Sequence, residues 1–347
     1  MHMADALISP SVGAAFCGIS GGMIIYSARK LKEEADEKKI PLMGVLGAFV
    51  FAAQMINFTI PGTGSSGHLG GGMILAILLG PHAGFLTLAS VLVIQALFFG
   101  DGGLLALGCN IFNMGFWTCF VAYPLVYKRL AREDSASGRL TIAAVASVMV
   151  AMQFGPLSIV IQTVISGISE LPFKSFLLLM QPIHLGIGLV EGLVTAGFIA
   201  FVRRARPEIL ESTMASRPLK QMSIRKALVG LALAALLMGG IFSWFASTHP
   251  DGLEWSIQKI YGKPDIPVPE EGMIPFLEGV QGKTAILPDY GFRSDEPTPA
   301  DENLAGTGKK EDLWPEVSSG KTIAGIVGSL MTLGLAILIG LLFRRRR

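Results

Sequence analysis

The apolar runs of this chain are as long as a bilayer is thick, and short basic clusters separate them. Runs fall at about 9–28, 41–57, 82–99, 104–127, 140–167, 176–202, 224–246 and 321–343. One shorter run, 69–80 (LGGGMILAILLG), lies between Gly and Pro. A helix crossing the hydrocarbon core needs about 20 mostly apolar residues. Of the 347 residues, 51% are hydrophobic and only 16% charged, whereas soluble domains carry about 25% charged residues. The chain therefore reads as an all-α polytopic membrane protein.

Basic residues set the orientation of such a chain, because Lys and Arg are retained on the cytoplasmic side. Four clusters occur, at 29–39, 128–139, 203–226 and the terminal 344–347. With all four inside, the first helix places Met1 outside and the second returns the chain outside at about 58–68. Reaching 128 on the inside then takes an odd number of crossings. The runs 82–99 and 104–127 supply two, so the short run 69–80 must cross as well. Seven helices are expected up to about residue 202. Two more follow, with the outer loop 247–320 between them, an outside N-terminus and a cytoplasmic C-terminus. At about 1.5 Å per residue a 12-residue helix spans about 18 Å. Such a crossing is tolerated only where protein and not lipid surrounds its ends.

This parity brings Met1–Pro10 and the loop 58–68 to one side, and the loop ends in His68. The stretch NFTIPGTGSSGHLGGG (57–72) is rich in small residues, which allow close approach of other groups. Of the five His, only His2 and His68 share that side close together. His82 lies in a short turn on the other side, His184 in an apolar helix and His249 in the outer loop. A free amine followed by His is a strong chelator. The Met1 amine, the His2 amide nitrogen and the His2 Nδ1 bind one ion in five- and six-membered rings, nearly in a plane. His68 supplies a fourth nitrogen. Tetragonal nitrogen ligation suits Ni(II) or Cu(II), and binding must release protons. Met1 is expected to be retained, because His2 is too large for the trimming aminopeptidase.

Several of these stretches together resemble a known family. They are MHMADALISP (1–10), NFTIPGTGSSGHLGGG (57–72), LLGPHAG (78–84), QALFFGDGGLLALGCNIFNMG (95–115) and PIHLGIGLVEGLVTA (182–196). The chain resembles the CbiM/NikM family, the substrate-binding membrane components of energy-coupling-factor (ECF) transporters for cobalt and nickel. Residues 224–347, with STHPDGLE at 247–254 and LPDYGF at 287–292, resemble the PDGLE domain of NikN. The resemblance implies a NikM–NikN fusion: a seven-helix S-component-like bundle at 1–202, a cytoplasmic linker at 203–223, and an accessory domain at 224–347. It also implies Met1, His2 and His68 as metal ligands. Asn57, Thr63, Ser65, Ser66 and Asn110 are candidates to steady those ligands by hydrogen bonds, with core packing the alternative for Asn110 and its neighbour Asn113.

The transported ion implied is Ni(II), because the accessory domain accompanies nickel types; Co(II), destined for cobalamin synthesis, stays open. Implied partners are a NikQ/CbiQ-like coupling subunit and NikO/CbiO-like ATPase subunits in the cytoplasmic (inner) membrane of a bacterium or archaeon, with membrane lipid around them and no nucleic acid. The chain offers no P-loop of its own. Gly282-Lys283-Thr284 and Gly320-Lys321-Thr322 have Leu277 and Pro315 where the motif needs its first Gly. No enzymatic activity is expected.

Two other classes compete. A stand-alone permease or channel requires charged groups along the helices, and only Glu191 offers one; Glu191 otherwise serves coupling or structure. An intramembrane metalloenzyme requires an HExxH-type pair, which is lacking. Cys17, Cys109 and Cys119 lie in apolar runs without metal-ligand spacing. The outer loop holds 14 Asp/Glu against 6 Lys/Arg, which suits either gathering cations or a solvated linker.

Overall fold

A computed structural model describes residues 2–34, 36–131, 136–215, 217–218, 224–264, 266–268, 271–293 and 314–343. Met1, the terminal basic cluster and the acidic stretch 294–313 lie outside the described residues. The chain is mostly helical. Its helices are α1 (Pro10–Glu34), α2 (Lys39–Gln54), α3 (Gly72–Leu79), α4 (Pro81–Phe99), α5 (Leu107–Leu130), α6 (Ser137–Ser166), α7 (Phe173–Ala205), α8 (Pro207–Met214), α9 (Arg225–Gly240), α10 (Gly252–Tyr261), α11 (Met273–Thr284) and α12 (Ser319–Leu342).

Six of these, α1, α4, α5, α6, α7 and α12, are long and apolar enough to cross a membrane. The expected runs 41–57, 69–80 and 224–246 correspond to the shorter helices α2, α3 and α9. The short run departs most from expectation. Helix α3 has only 8 residues, all buried. His68 lies four residues ahead of it, outside any helix or strand, and Gly71 between them takes a left-handed φ of 71°. That conformation stops a helix from running back toward His68. An apolar helix buried on all sides is a core element, sheltered from lipid.

The core lies between α2, α3, α4, α5 and α7, where Phe51, Phe85, Tyr123, Tyr127 and Phe176 are fully buried. Helices α6 and α7 pack along their length, and α12 and α9 pack on α2. Helix α1 stays at the rim, with Ile19, Ile25 and Tyr26 exposed, as suits a helix facing lipid.

Several polar side chains inside this core pair across helices. Gln95 Nε2 donates to Gln54 Oε1 at 2.8 Å, and Gln54 Nε2 donates to Gly70 O at 2.8 Å. Asn113 and Gln162 exchange two hydrogen bonds of 2.8 and 2.9 Å between α5 and α6. Such contacts contribute roughly 0.6–2 kcal/mol each within a membrane. The first pair also fixes the chain at Gly70, two residues past His68.

Two ends of the bundle follow. One gathers residues 2–8, the hairpin of β1 (Phe58–Ile60) and β2 (Ser65–Gly67), the loop 100–106, and the segment 247–256. The other gathers Glu34 and Lys39, paired at 2.6 Å, with Gly80, Lys128, Thr213 and Arg217. Part of the loop 247–320 is folded, as α10, α11 and a short turn at Pro288–Tyr290.

Candidate metal centre

The N-terminal segment is held by burial and by hydrogen bonds. Met3 is fully buried. Its N–H donates to Asn110 Oδ1 at 2.8 Å, and its carbonyl accepts from Asn110 Nδ2 at 3.2 Å and from Gly103 N at 2.9 Å. Asp5 is buried and accepts from Ala106 N at 3.0 Å, capping the start of α5. Leu7 and Ile8 are buried behind it. Asn110 thus clamps the backbone next to His2.

His2 lies against the loop after α4. Its Nδ1 is 2.9 Å from Asp101 Oδ1. Asp101 Oδ2 in turn accepts from Tyr290 OH at 2.5 Å. Burial alone would raise the Asp101 pKa, but the neighbouring His2 and the two hydrogen bonds hold it below the usual carboxylate range. Burial and that carboxylate keep the Tyr290 phenol well above its usual pKa, so Tyr290 is the donor. A carboxylate that orients an imidazole in this way is the common support of metal-binding histidines. With Nδ1–H donating to Asp101, His2 Nε2 is buried without a partner.

His68 arrives from the hairpin. The Thr63 hydroxyl closes the turn, donating to Ile60 O at 2.8 Å and accepting from Ser65 N at 3.1 Å. The β1–β2 pairing then carries the chain inward to a buried His68. Its Nδ1 donates to Leu69 O at 3.1 Å, which fixes the tautomer and leaves Nε2 as the lone-pair nitrogen. Burial pushes its pKa down to about 3, so the ring is neutral at physiological pH. The His2 and His68 rings are parallel, with centroids 5.3 Å apart. Two imidazoles that share an ion at metal–nitrogen bonds of about 2 Å have centroids roughly 4.5–6.5 Å apart.

The segment 247–256 covers this end. Ser66 N donates to Pro250 O at 2.8 Å, and Ser66 Oγ to His249 O at 2.7 Å. Ser247 N donates to Asn57 O at 2.8 Å, and Trp255 Nε1 to Thr63 O at 3.0 Å. Asp251 caps α10, accepting from Leu253 N and Glu254 N in a capping box. Gly252 sits on the His184 ring; a Cβ there would lie 2.9 Å from His184 Cε1. Below this cover is a cavity of about 30 Å³, lined in part by His68, His184, Glu191 and Asp251.

The expected site residues therefore divide. His2, His68 and Asn110 converge. Asn57, Thr63 and Ser66 bind the hairpin backbone and the covering segment, and Ser65 Oγ donates to Ser66 O at 3.1 Å. Glu191 is buried at the cavity floor, where Oε1 accepts from Gly71 N at 3.0 Å. Among the described residues no group of three or more His, Cys, Asp and Glu side chains is arranged to hold an ion. Sequence reasoning missed Asp101, Tyr290, Asp251 and His184 as neighbours of the site. Two signals were present: an Asp inside the glycine-rich FFGDGGLL, and the Tyr of LPDYGF.

A family model described as the cobalt uptake substrate-specific transmembrane region, CbiM, matches residues 2–209. The chain belongs to the CbiM family. A second model, the PDGLE domain, matches residues 225–345. Among CbiM-type relatives, the "Putative fused nickel transport protein NikMN" of Archaeoglobus fulgidus is 32% identical over 337 residues, 96% of each chain. The cobalt transport protein CbiM of Sorangium cellulosum is 29% identical over 61% of this chain and 95% of its own. A crystal structure of a transition metal transporter superposes with a TM-score of 0.52 at 29% identity, covering 60% of this chain and 95% of that one. This CbiM-family chain is thus a membrane protein of the nickel and cobalt transport type.

Proposed function

We propose that the chain is the substrate-binding component of an ECF-type importer, and that its cargo is Ni(II). The observation that carries this reading is the meeting of His2 and His68. They are 66 positions apart in sequence, yet their buried rings lie parallel and 5.3 Å apart. The ion is held by the Met1 amine, the His2 amide and imidazole, and His68 Nε2. Met1 itself lies outside the described residues. Chelation through His2 Nδ1 requires that nitrogen to give up its proton and its contact with Asp101, which leaves the carboxylate beside the ligand ring. The site end faces outward and the terminal Arg cluster inward, across the cytoplasmic membrane. Separate coupling and ATPase subunits supply the driving force. Residues 1–202 form the binding unit and 224–347 the accessory unit.

The fused nickel relative favours nickel over cobalt. The experiment is metal analysis with an absorption spectrum on the purified full chain. Planar Ni(II) on a deprotonated amide is yellow and diamagnetic; a protein that binds Co(II) in preference, or shows no such band, overturns the nickel reading.

The carboxylate behind His2 gives a second test. Tyr290→Phe removes the donor to Asp101 Oδ2 and leaves the ring in place. Losing such an outer hydrogen bond costs about 10–100-fold in metal affinity. Competition titration against a chelator should show a drop of that size, with the absorption band still present at saturation.

A further inference from the structure

Two polar groups in the cavity beneath the covering segment have no partner, and both belong to α7. His184 Nδ1 donates to Met180 O at 2.7 Å, so its Nε2 carries the lone pair. That nitrogen is buried and unpaired. Glu191 Oε1 accepts from Gly71 N, while Oε2 is buried and unpaired. Both residues line the cavity that also receives His68. They lie seven positions apart, on one face of the helix, about 10 Å apart along its axis. His184 is at the mouth beside Gly252, and Glu191 is two turns deeper.

A buried donor or acceptor left unsatisfied costs about 1–3 kcal/mol, and more where it is charged. Other buried atoms of the core also lack partners, Gln95 Oε1 and the Thr163 and Thr195 hydroxyls among them; His184 and Glu191 differ in lining one cavity with the donor atoms that a metal takes. The approach to the carboxylate is also kept open. A Cβ at Gly70 would lie 3.3 and 3.4 Å from the two Glu191 oxygens. The Met152 thioether borders the same space. Imidazole nitrogen, carboxylate oxygen and thioether sulfur are all donors that first-row divalent metals accept.

We propose that this cavity is a second cation site, centred on Glu191 Oε2, where a divalent transition metal rests after leaving the outer ligands past His184 Nε2. The site rests on the transport reading above, but its ligands are separate from the planar set. An ion there, with one or two waters, satisfies both orphaned groups. Ionisable residues inside membrane helices commonly mark ion pathways, and here the two lie in series along one helix face.

The test is a Ni(II) titration of the purified full chain by equilibrium dialysis, with the planar absorption band recorded alongside. The wild type should bind two equivalents, the first raising the band and the second leaving it unchanged. Glu191→Gln keeps an oxygen for Gly71 N–H but loses the negative charge. It should bind one equivalent with the band at full strength. A chain acetylated at its amine should lose the band and keep the Glu191-dependent equivalent. A wild type that saturates at one equivalent, or a second equivalent that survives Glu191→Gln, overturns the inner site. Loss of the band in the wild type, with a Glu191-dependent equivalent retained, sinks the planar site instead. Should Glu191→Gln fail to fold, the wild-type stoichiometry still decides.

Discussion

Acetylating the N-terminal amine should abolish nickel binding at the planar site and leave the fold intact. In the proposed site the amine is one of four planar nitrogens and closes the five-membered ring with the His2 amide. An acetylated nitrogen is no base, so the chelate loses an end ligand and its proton-releasing step together. The fold should be kept, because the hydrogen bonds at His2 Nδ1, Met3 N and Asp5 Oδ1 that anchor the segment do not use the amine. A two-residue extension ahead of Met1 should act like acetylation. A one-residue extension is a different case, since it places His third and builds a four-nitrogen chelate within the terminus itself. Its binding should be indifferent to His68. The readout is bound nickel and the planar band on purified protein. Unchanged nickel retention after complete acetylation would falsify the terminal site.

His68→Ala should weaken nickel binding by more than about 100-fold, because loss of outer partners alone costs about 10–100-fold. It removes the one ligand that does not come from the terminus. The remaining three nitrogens form a short, exposed-type chelate whose fourth place falls to water. The planar band should shift as oxygen replaces nitrogen. Metal retention should also fall with acidity, because protons displaced from the amine and amide return. His68 does not set that dependence: with its pKa down at about 3, it stays neutral through the range in which the others protonate. A His68→Ala protein with wild-type affinity and an unshifted band would remove His68 from the ligand set.

Much of this could be read from residue patterns. The alternation of apolar runs and basic clusters is a one-dimensional signal, because hydrocarbon excludes both charge and unpaired backbone. It required 69–80 to be a helix inside protein, and α3 is completely buried. The same parity argument set residues 2–8 beside the loop 58–68, and the structure brings them to one end. The starting point of α3 was less legible. Run length cannot show that Gly71 turns left-handed and leaves His68 outside the helix, where Val50 packs against Gly71.

The surroundings of the site were legible only in part. Asn110 lies 107 positions from Met3 and Asp101 lies 99 from His2, so no local spacing connects them. His184 looked like an ordinary polar residue in an apolar helix. Its meaning comes from Gly252, which a chain excursion of 68 residues returns to its ring. Ser65 and Ser66 drew notice as hydroxyls near a His, yet Ser66 holds the covering segment.

What the sequence determined by itself was the solvent of each segment, because transfer from water to hydrocarbon depends on composition and length and hardly on contacts. From that came the helical class and the grouping of His2 with His68 at one end. Tertiary structure decided which polar atoms meet. It set His2 against Asp101 and Tyr290, roofed the cavity with Pro250–Gly252, and left His184 Nε2 and Glu191 Oε2 facing it without partners. Hydrogen bonds act over about 3 Å, and only packing brings atoms from five distant segments within that distance.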